Sequence, residues 1–278
     1  MQPSRNGAGT HASTSVVCLH ASASSGHQWR VLQSRLTGRY RVFAPDLYGV
    51  ADTPPWADEG GLTLADEVAL LEPMFAAAGK SFHLIGHSYG GAVAARAALA
   101  NPGRIRSLVL IEPVLFGLLI AEDPGQPAAR EIVAVRDDTS AAADRGALES
   151  AGERFVDYWM GSGTWANMPS PRRVAVAQAM PNVRNEWSAL FAEATPLSVY
   201  SSLRVPTLYL VGSQSPASAR EVARLLIKTL PEVTPVKVRG QATWHPSRIL
   251  TSSTRPSRHT LPRSSALMAC GDSTDSYG

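Results

Sequence analysis

The chain has 278 residues, of which 44% are hydrophobic, and a formal net charge of +3. That apolar content can bury one large core, or one core with a small lid. The 26 Lys and Arg barely exceed the 23 Asp and Glu, with no dense basic run carrying interleaved aromatics, so nucleic acid is not expected as a partner.

In chain order, the polar segment Met1–Ser15 lacks the apolar stretch of a secretion signal, and nothing later is long and apolar enough to span a membrane. Six short apolar runs then read as strands: Val16–His20, Arg41–Ala44, Phe82–Gly86, Ser107–Ile111, Thr207–Val211 and Pro235–Val238. They are nearly continuous in Val, Ile and Leu, as strands buried on both faces should be. Thr63 and Asp66 predict a capping-box start for a helix with Leu64, Val68, Leu71 and Phe75 on one face, kinked at Pro73 and stopped by Gly79. Gly90 to Ala100 is a helix of small residues that can lie close on a sheet, ended by Asn101-Pro102. Residues 116–200 show helical patterns only and hold many of the aromatics, among them Phe155, Tyr158, Trp159, Trp165, Trp187 and Phe191. Such an insertion reads as a cap; its aromatics either pack cap to core or, for one or two of them, line an apolar pocket. Val222, Leu225, Leu226 and Leu230 mark a last amphipathic helix, closed by Pro231. Strands alternating with helices predict an α/β fold with a doubly wound, mostly parallel sheet.

The most informative stretch is Gly86-His87-Ser88-Tyr89-Gly90, between the strand ending at Gly86 and the small-residue helix. A serine at so sharp a strand-to-helix turn takes strained dihedrals. Side chains two residues before and after it would meet backbone, so both positions are glycine. The hydroxyl of Ser88 is thereby pushed out above the sheet edge.

With strand, Ser88 and helix in this order, the chain resembles the α/β-hydrolase fold family, in particular single-domain members with a helical cap after the sixth strand. The resemblance spans roughly residues 14 to 240. Leu19-His20-Ala21-Ser22, followed by Gly26 and Trp29, resembles the family's His-Gly oxyanion loop. The run from Phe43 through Asp46 to Gly49 resembles the loop after the next strand, and Pro206-Thr207-Leu208 to Gly212 the strand after the cap. The resemblance implies a hydrolase core in residues 1–115 and 201–240, a helical cap in 116–200 and an atypical tail in 241–278. It implies Ser88 as nucleophile, and backbone N–H groups of Tyr89 and Ser22 as oxyanion donors. It departs from the family at Ala21, where glycine is usual; a positive φ there would cost about 1 kcal/mol. His20 is either a loop-packing residue or a catalytic one.

The loop after Val211 carries no carboxylate, whereas Glu112 follows the preceding strand in Leu110-Ile111-Glu112-Pro113. The resemblance makes Glu112 the triad acid, against the alternative of a solvated or helix-capping glutamate. The base should be a histidine after the last strand, usually in a Gly-His pair. Here the sequence is Gly240-Gln241-Ala242-Thr243-Trp244-His245-Pro246, so His245 is the one candidate near the required place. From Gln241 to Gly278, 13 of 38 residues are Ser or Thr, and this composition reads as disordered. Back-translation of the segment beginning at Gln241, read from the third base of each codon, permits GHMAPLTHPDQFNEAI. That string looks like the family's histidine loop and helix start. A reading-frame shift near Gly240 is therefore expected in the coding DNA, and the loss of the final helix would leave sheet surface uncovered.

Two cysteines, Cys18 in a strand and Cys270 in the tail, fit a reducing cytoplasm. There is no metal-ligand spacing and no phosphate-binding glycine loop, so neither metal nor cofactor is expected. The expected activity is that of a serine hydrolase on small, fairly apolar esters or related acyl compounds, with lactone, C–C and perhydrolysis chemistry sharing the same machinery. The serine argues against the dehalogenase and epoxide-hydrolase chemistry of capped relatives that use Asp. The alternative is a binding protein of the same fold, non-catalytic or impaired by its tail.

Overall fold

The computed structural model describes residues 14–57 and 60–239. Six strands, β1 (Ser15–Leu19), β2 (Arg41–Phe43), β3 (Phe82–His87), β4 (Ile105–Ile111), β5 (Thr207–Gly212) and β6 (Val233–Val238), form one sheet. Their order is β2-β1-β3-β4-β5-β6 and every pairing is parallel. The helices are α1 (Arg30–Leu36), α2 (Leu64–Ala78), α3 (Tyr89–Ala100), α4 (Phe116–Glu122), α5 (Pro127–Asp144), α6 (Leu148–Met160), α7 (Ser170–Ala192), α8 (Leu197–Tyr200) and α9 (Ala217–Thr229). All six expected strands are present. β4 starts earlier, at Ile105, and β6 at Val233. β6 runs through Pro235 because it is an edge strand in the described sheet, where a missing N–H need not disturb a second ladder.

Successive strand residues serve opposite faces, and both faces are apolar. Val17 and Leu19 join Leu84, Leu108 and Leu110 in the larger core with α2, α3 and the inserted helices. Val16 and Cys18 join Ile85, Val109, Ile111 and Leu210 in a second core against Trp29, Leu32 and Leu36. Burial pushes the Cys18 thiol far up, so it is an inert core residue. The capping box forms as expected: the Thr63 side chain accepts from the Asp66 N–H at 3.2 Å, and Asp66 takes the Thr63 N–H at 3.0 Å. α2 continues through Pro73 to its cap at Gly79.

Helices α4 to α8 lie between β4 and β5 with no strand among them, forming the cap. Aromatic rings bind it together, with Phe155 and Trp187 centroids 6.2 Å apart and Phe116 and Trp187 6.0 Å apart. Trp187 also donates its indole N–H to Thr139 of α5 at 3.1 Å.

Candidate active site

The chain lays down β1, steps outward to β2, then returns to place β3 on the other side of β1. Loops leaving β1 and β3 therefore diverge, opening a crevice at their carboxyl ends where open α/β sheets take ligands. Ser22 follows β1 and Ser88 follows β3, and the registers Leu19 with Gly86 and His87 with Ile111 bring these strand ends and that of β4 together.

Ser88 has φ 53° and ψ −115°, a left-handed φ that a non-glycine residue holds only under constraint. Both flanking glycines are required. A Cβ on Gly86 would stand 2.2 Å from the Gly90 carbonyl oxygen, and one on Gly90 2.4 Å from that of His20. The Gly90 N–H also donates to His20 O at 3.0 Å, tying the elbow to the loop after β1. Gly90→Ala should destabilise the fold by about 2 kcal/mol or more, because the obstacle is backbone and cannot swing aside. A lowered urea midpoint with unchanged m-value is the expected readout.

Ser88 is half-buried and lines a narrow, largely filled pocket with open room for about one water molecule. The walls are largely aromatic and aliphatic: Phe155 and Trp159 of α6 and Trp187 and Leu190 of α7 contribute. Three of the expected cap aromatics thus face the site. Trp165 does not; it packs on Gly152, where a Cβ would come within 2.7 Å of its ring. Phe191 instead carries the Arg136 guanidinium 4.4 Å above its ring.

The loop after β1 is held by its own bonds. Gly26 N–H donates to Asp46 Oδ1 at 2.7 Å, and Ala21 N–H to Gln28 Oε1 at 3.1 Å. The positive φ in this loop falls at Ala23 (50°), not at Ala21, so the strain considered for Ala21 lies two residues on. His20 is fully buried, its Nε2 accepting the Leu47 N–H at 3.1 Å while Nδ1–H donates to Ala21 O at 2.9 Å. Burial lowers its pKa, keeping it neutral. Both nitrogens are committed to loop packing. The N–H groups of Ser22 and Tyr89, beside Ser88, have no acceptor among the described residues.

Glu112 directly follows β4 with φ 47° and is only 2% exposed. Its N–H donates to Leu210 O at 2.9 Å. Its side chain crosses to the loop after β5, where Oε1 accepts the Gly212 N–H at 2.7 Å and the Ser215 hydroxyl. The carboxyl thus reaches the loop that has none of its own. It is neither solvated nor a helix cap. Burial raises its pKa, and the Ser215 and Gly212 bonds oppose the rise. Oε2 is buried with no partner among the described residues. His245 lies outside the described residues, as does the tail 241–278.

Two further carboxyls escaped the sequence reading. Glu67 of α2 is fully buried and accepts the Tyr89 hydroxyl at 3.0 Å and the Tyr48 N–H at 3.3 Å. Glu186 of α7, 2% exposed, lines the Ser88 cavity. Its Oε1 accepts Asn182 Nδ2 at 3.2 Å, and Ser22 lies beside it in the same pocket wall. Tyr89 is thus anchored by its side chain to one buried carboxyl, and Ser22 lies against the other. Burial pushes Glu67 up to about 7 and Glu186 up to about 8, and their mutual repulsion adds to the rise in Glu186. Protons held more tightly folded than unfolded stabilise the protein fully below the ordinary value of 4.5, and that stability is lost as pH rises through 7 to 8. Glu186→Gln should therefore match the parent's melting temperature near pH 4.5 and exceed it at pH 9, measured by thermal scans across that range. Val183 and Leu190 stand three before and four after Glu186 on one helical face, a pattern too weak by itself to single out one carboxyl on a polar helix.

A model of the alpha/beta hydrolase fold matches residues 14–244, most of the described chain. The chain belongs to the alpha/beta hydrolase fold family. The match ends just short of His245. Over 105 residues the chain is 34% identical to a pimeloyl-[acyl-carrier protein] methyl ester esterase of Aeromonas hydrophila, covering 34% of this chain and 36% of that protein. Over 104 residues it is 32% identical to lipase LipV of Mycobacterium tuberculosis, covering 36% and 37% respectively. The matches span little more than a third of these relatives. Among solved structures, an alpha/beta hydrolase from Sphaerobacter thermophilus superposes with a TM-score of 0.65 at 23% identity, covering 85% of this chain and 89% of that one. As an alpha/beta hydrolase fold protein, this chain places Ser88, Glu112, Ser22 and Tyr89 at the carboxyl edge of β1, β3 and β4. Among the described residues no helix is long and apolar enough to cross a membrane, and no acidic, His or Cys group could hold a metal ion.

Proposed function

We propose that the chain is a serine hydrolase acting on small, fairly apolar esters or related acyl compounds. Ser88 Oγ attacks the carbonyl and the Tyr89 and Ser22 N–H groups receive the developing oxyanion, each worth about 3 kcal/mol in a preorganised site. A histidine takes the serine proton and returns it to the leaving alcohol; water then releases the acyl group by the same route. Glu112 Oε2 is the atom left to accept an imidazole N–H, and His245 is the residue proposed to supply it. The observation that carries this reading is the half-buried Ser88 on a strained turn, open to an apolar cavity, beside two N–H groups without acceptors. The esterase and lipase names of the relatives point the same way.

One observation favours a second reading, an impaired or non-catalytic protein of this fold. Among the described residues no histidine lines the cavity, and His20 has both nitrogens engaged. A fluorophosphonate probe separates the two. Labelling that maps to Ser88 and slows in His245→Ala supports the hydrolase. Folded protein that stays unlabelled at millimolar probe supports the second reading.

A further inference from the structure

The Ser88 cavity has three polar residues in its wall, Ser22, Ser88 and Glu186. The first two have roles in the hydrolase reading; Glu186 has none. Its Oε1 is occupied by Asn182, but Oε2 is buried and has no partner among the described residues. A buried carboxyl oxygen without a partner is costly, so its retention in an otherwise apolar wall points to an occupant that arrives with the substrate. No Lys, Arg or His lines this cavity. A carboxyl there, next to buried Glu67 and without a cation, is held in its neutral form and offers an O–H donor. The group that satisfies it is an oxygen acceptor. Ser22 lies against Glu186 and supplies one of the N–H groups beside Ser88, so the acceptor sits close to the reacting carbonyl.

We propose that Glu186 is a specificity-determining residue that binds a hydroxyl or oxo substituent of the substrate close to the scissile carbonyl. This rests on the hydrolase reading for its chemistry, but not for its binding. The remaining walls, among them Phe155, Trp159, Trp187 and Leu190, are apolar and leave that one carboxyl as the polar point of the cap side. The bond is made by an uncharged carboxyl. Glu67 on α2, Tyr89 on α3, Asn182 on α7 and Ser22 on the loop after β1 are the groups facing it, and none carries positive charge. Recognition therefore weakens as pH rises through about 8.

The test compares methyl 2- and 3-hydroxybutanoate with methyl 2- and 3-methylbutanoate, in which a methyl replaces the hydroxyl. Binding is read in Ser88→Ala by quenching of Trp159 and Trp187 fluorescence, and turnover is read in the parent chain. One net hydrogen bond is worth about tenfold in affinity, so at least one hydroxy ester should bind about ten times tighter than its methyl counterpart. Glu186→Leu should reverse that order; Glu186→Gln, whose amide still donates, should keep part of it and serves if the leucine variant does not fold. Equal binding of hydroxy and methyl esters by Ser88→Ala, unchanged in Glu186→Gln, overturns the proposal. Preferential binding without turnover by the parent sustains the Glu186 assignment and tells against the hydrolase reading. Turnover of all four esters with equal kcat/KM does the reverse.

Discussion

Ser88→Ala should lower ester turnover by about a millionfold in a chain whose triad is complete, and by less in one without a working base, down to the level left by binding and oxyanion donors alone. The same position gives an unusual stability response. Ser88 holds φ at 53° and alanine gains nothing there, but Ser88→Gly removes the side-chain clash and should raise unfolding free energy by about 1–2 kcal/mol. A residue whose replacement by glycine stabilises the fold while ending the reaction is retained for chemistry. Hydrolysis of p-nitrophenyl acetate beside urea unfolding of the parent and both variants checks both halves. Retention of more than a tenth of the parent rate in Ser88→Ala would assign the reaction to another group.

Replacing residues 241–256 with GHMAPLTHPDQFNEAI raises kcat/KM by about 10²–10⁴. General-base assistance is worth that much, and a serine hydroxyl without it is a weak nucleophile at neutral pH. Glu112 supplies the physical reason: one carboxyl oxygen is saturated by Gly212 and Ser215, and the other is buried with no partner among the described residues. An imidazole N–H arriving there is fixed in tautomer and orientation. The gain should vanish in the double variant that also carries Glu112→Gln. The two chains can be compared by single-turnover release of p-nitrophenol. Equal rates, with both chains folded by circular dichroism, would show that His245 already serves as base or that no base operates. The codons of the gene give an independent check: if they do not spell that string in the shifted frame, a frame shift is not its origin.

The sheet was legible because parallel strands buried on both faces read as unbroken apolar runs, and Val16 to Leu19 feed two cores at once. The elbow was legible because steric exclusion writes glycine at fixed offsets, and Gly86 and Gly90 do abut backbone. Glu112 could be placed at a strand end, but its crossing to Gly212 and Ser215 depends on the neighbouring strand pair and has no local signature. Glu186 was harder still. On α7 it reads as one charge on a polar helix, and only the docking of that helix over the crevice turns it inward. The Ala21 departure drew attention to the wrong residue, since the turn places its left-handed step at Ala23.

The short approach of α3 to β1 also decides where the protein can give way. With Gly90 wedged against the His20 and Leu19 carbonyls, the floor beneath the hydroxyl has no slack. The roof is built from side chains of α6 and α7, Phe155, Trp159, Trp187 and Leu190, so any widening of the gap for a ligand is expected on that side. Amide exchange should accordingly be fast along α6 and α7 and slow at the base of α3, and a ligand lodged inside should slow the first without touching the second.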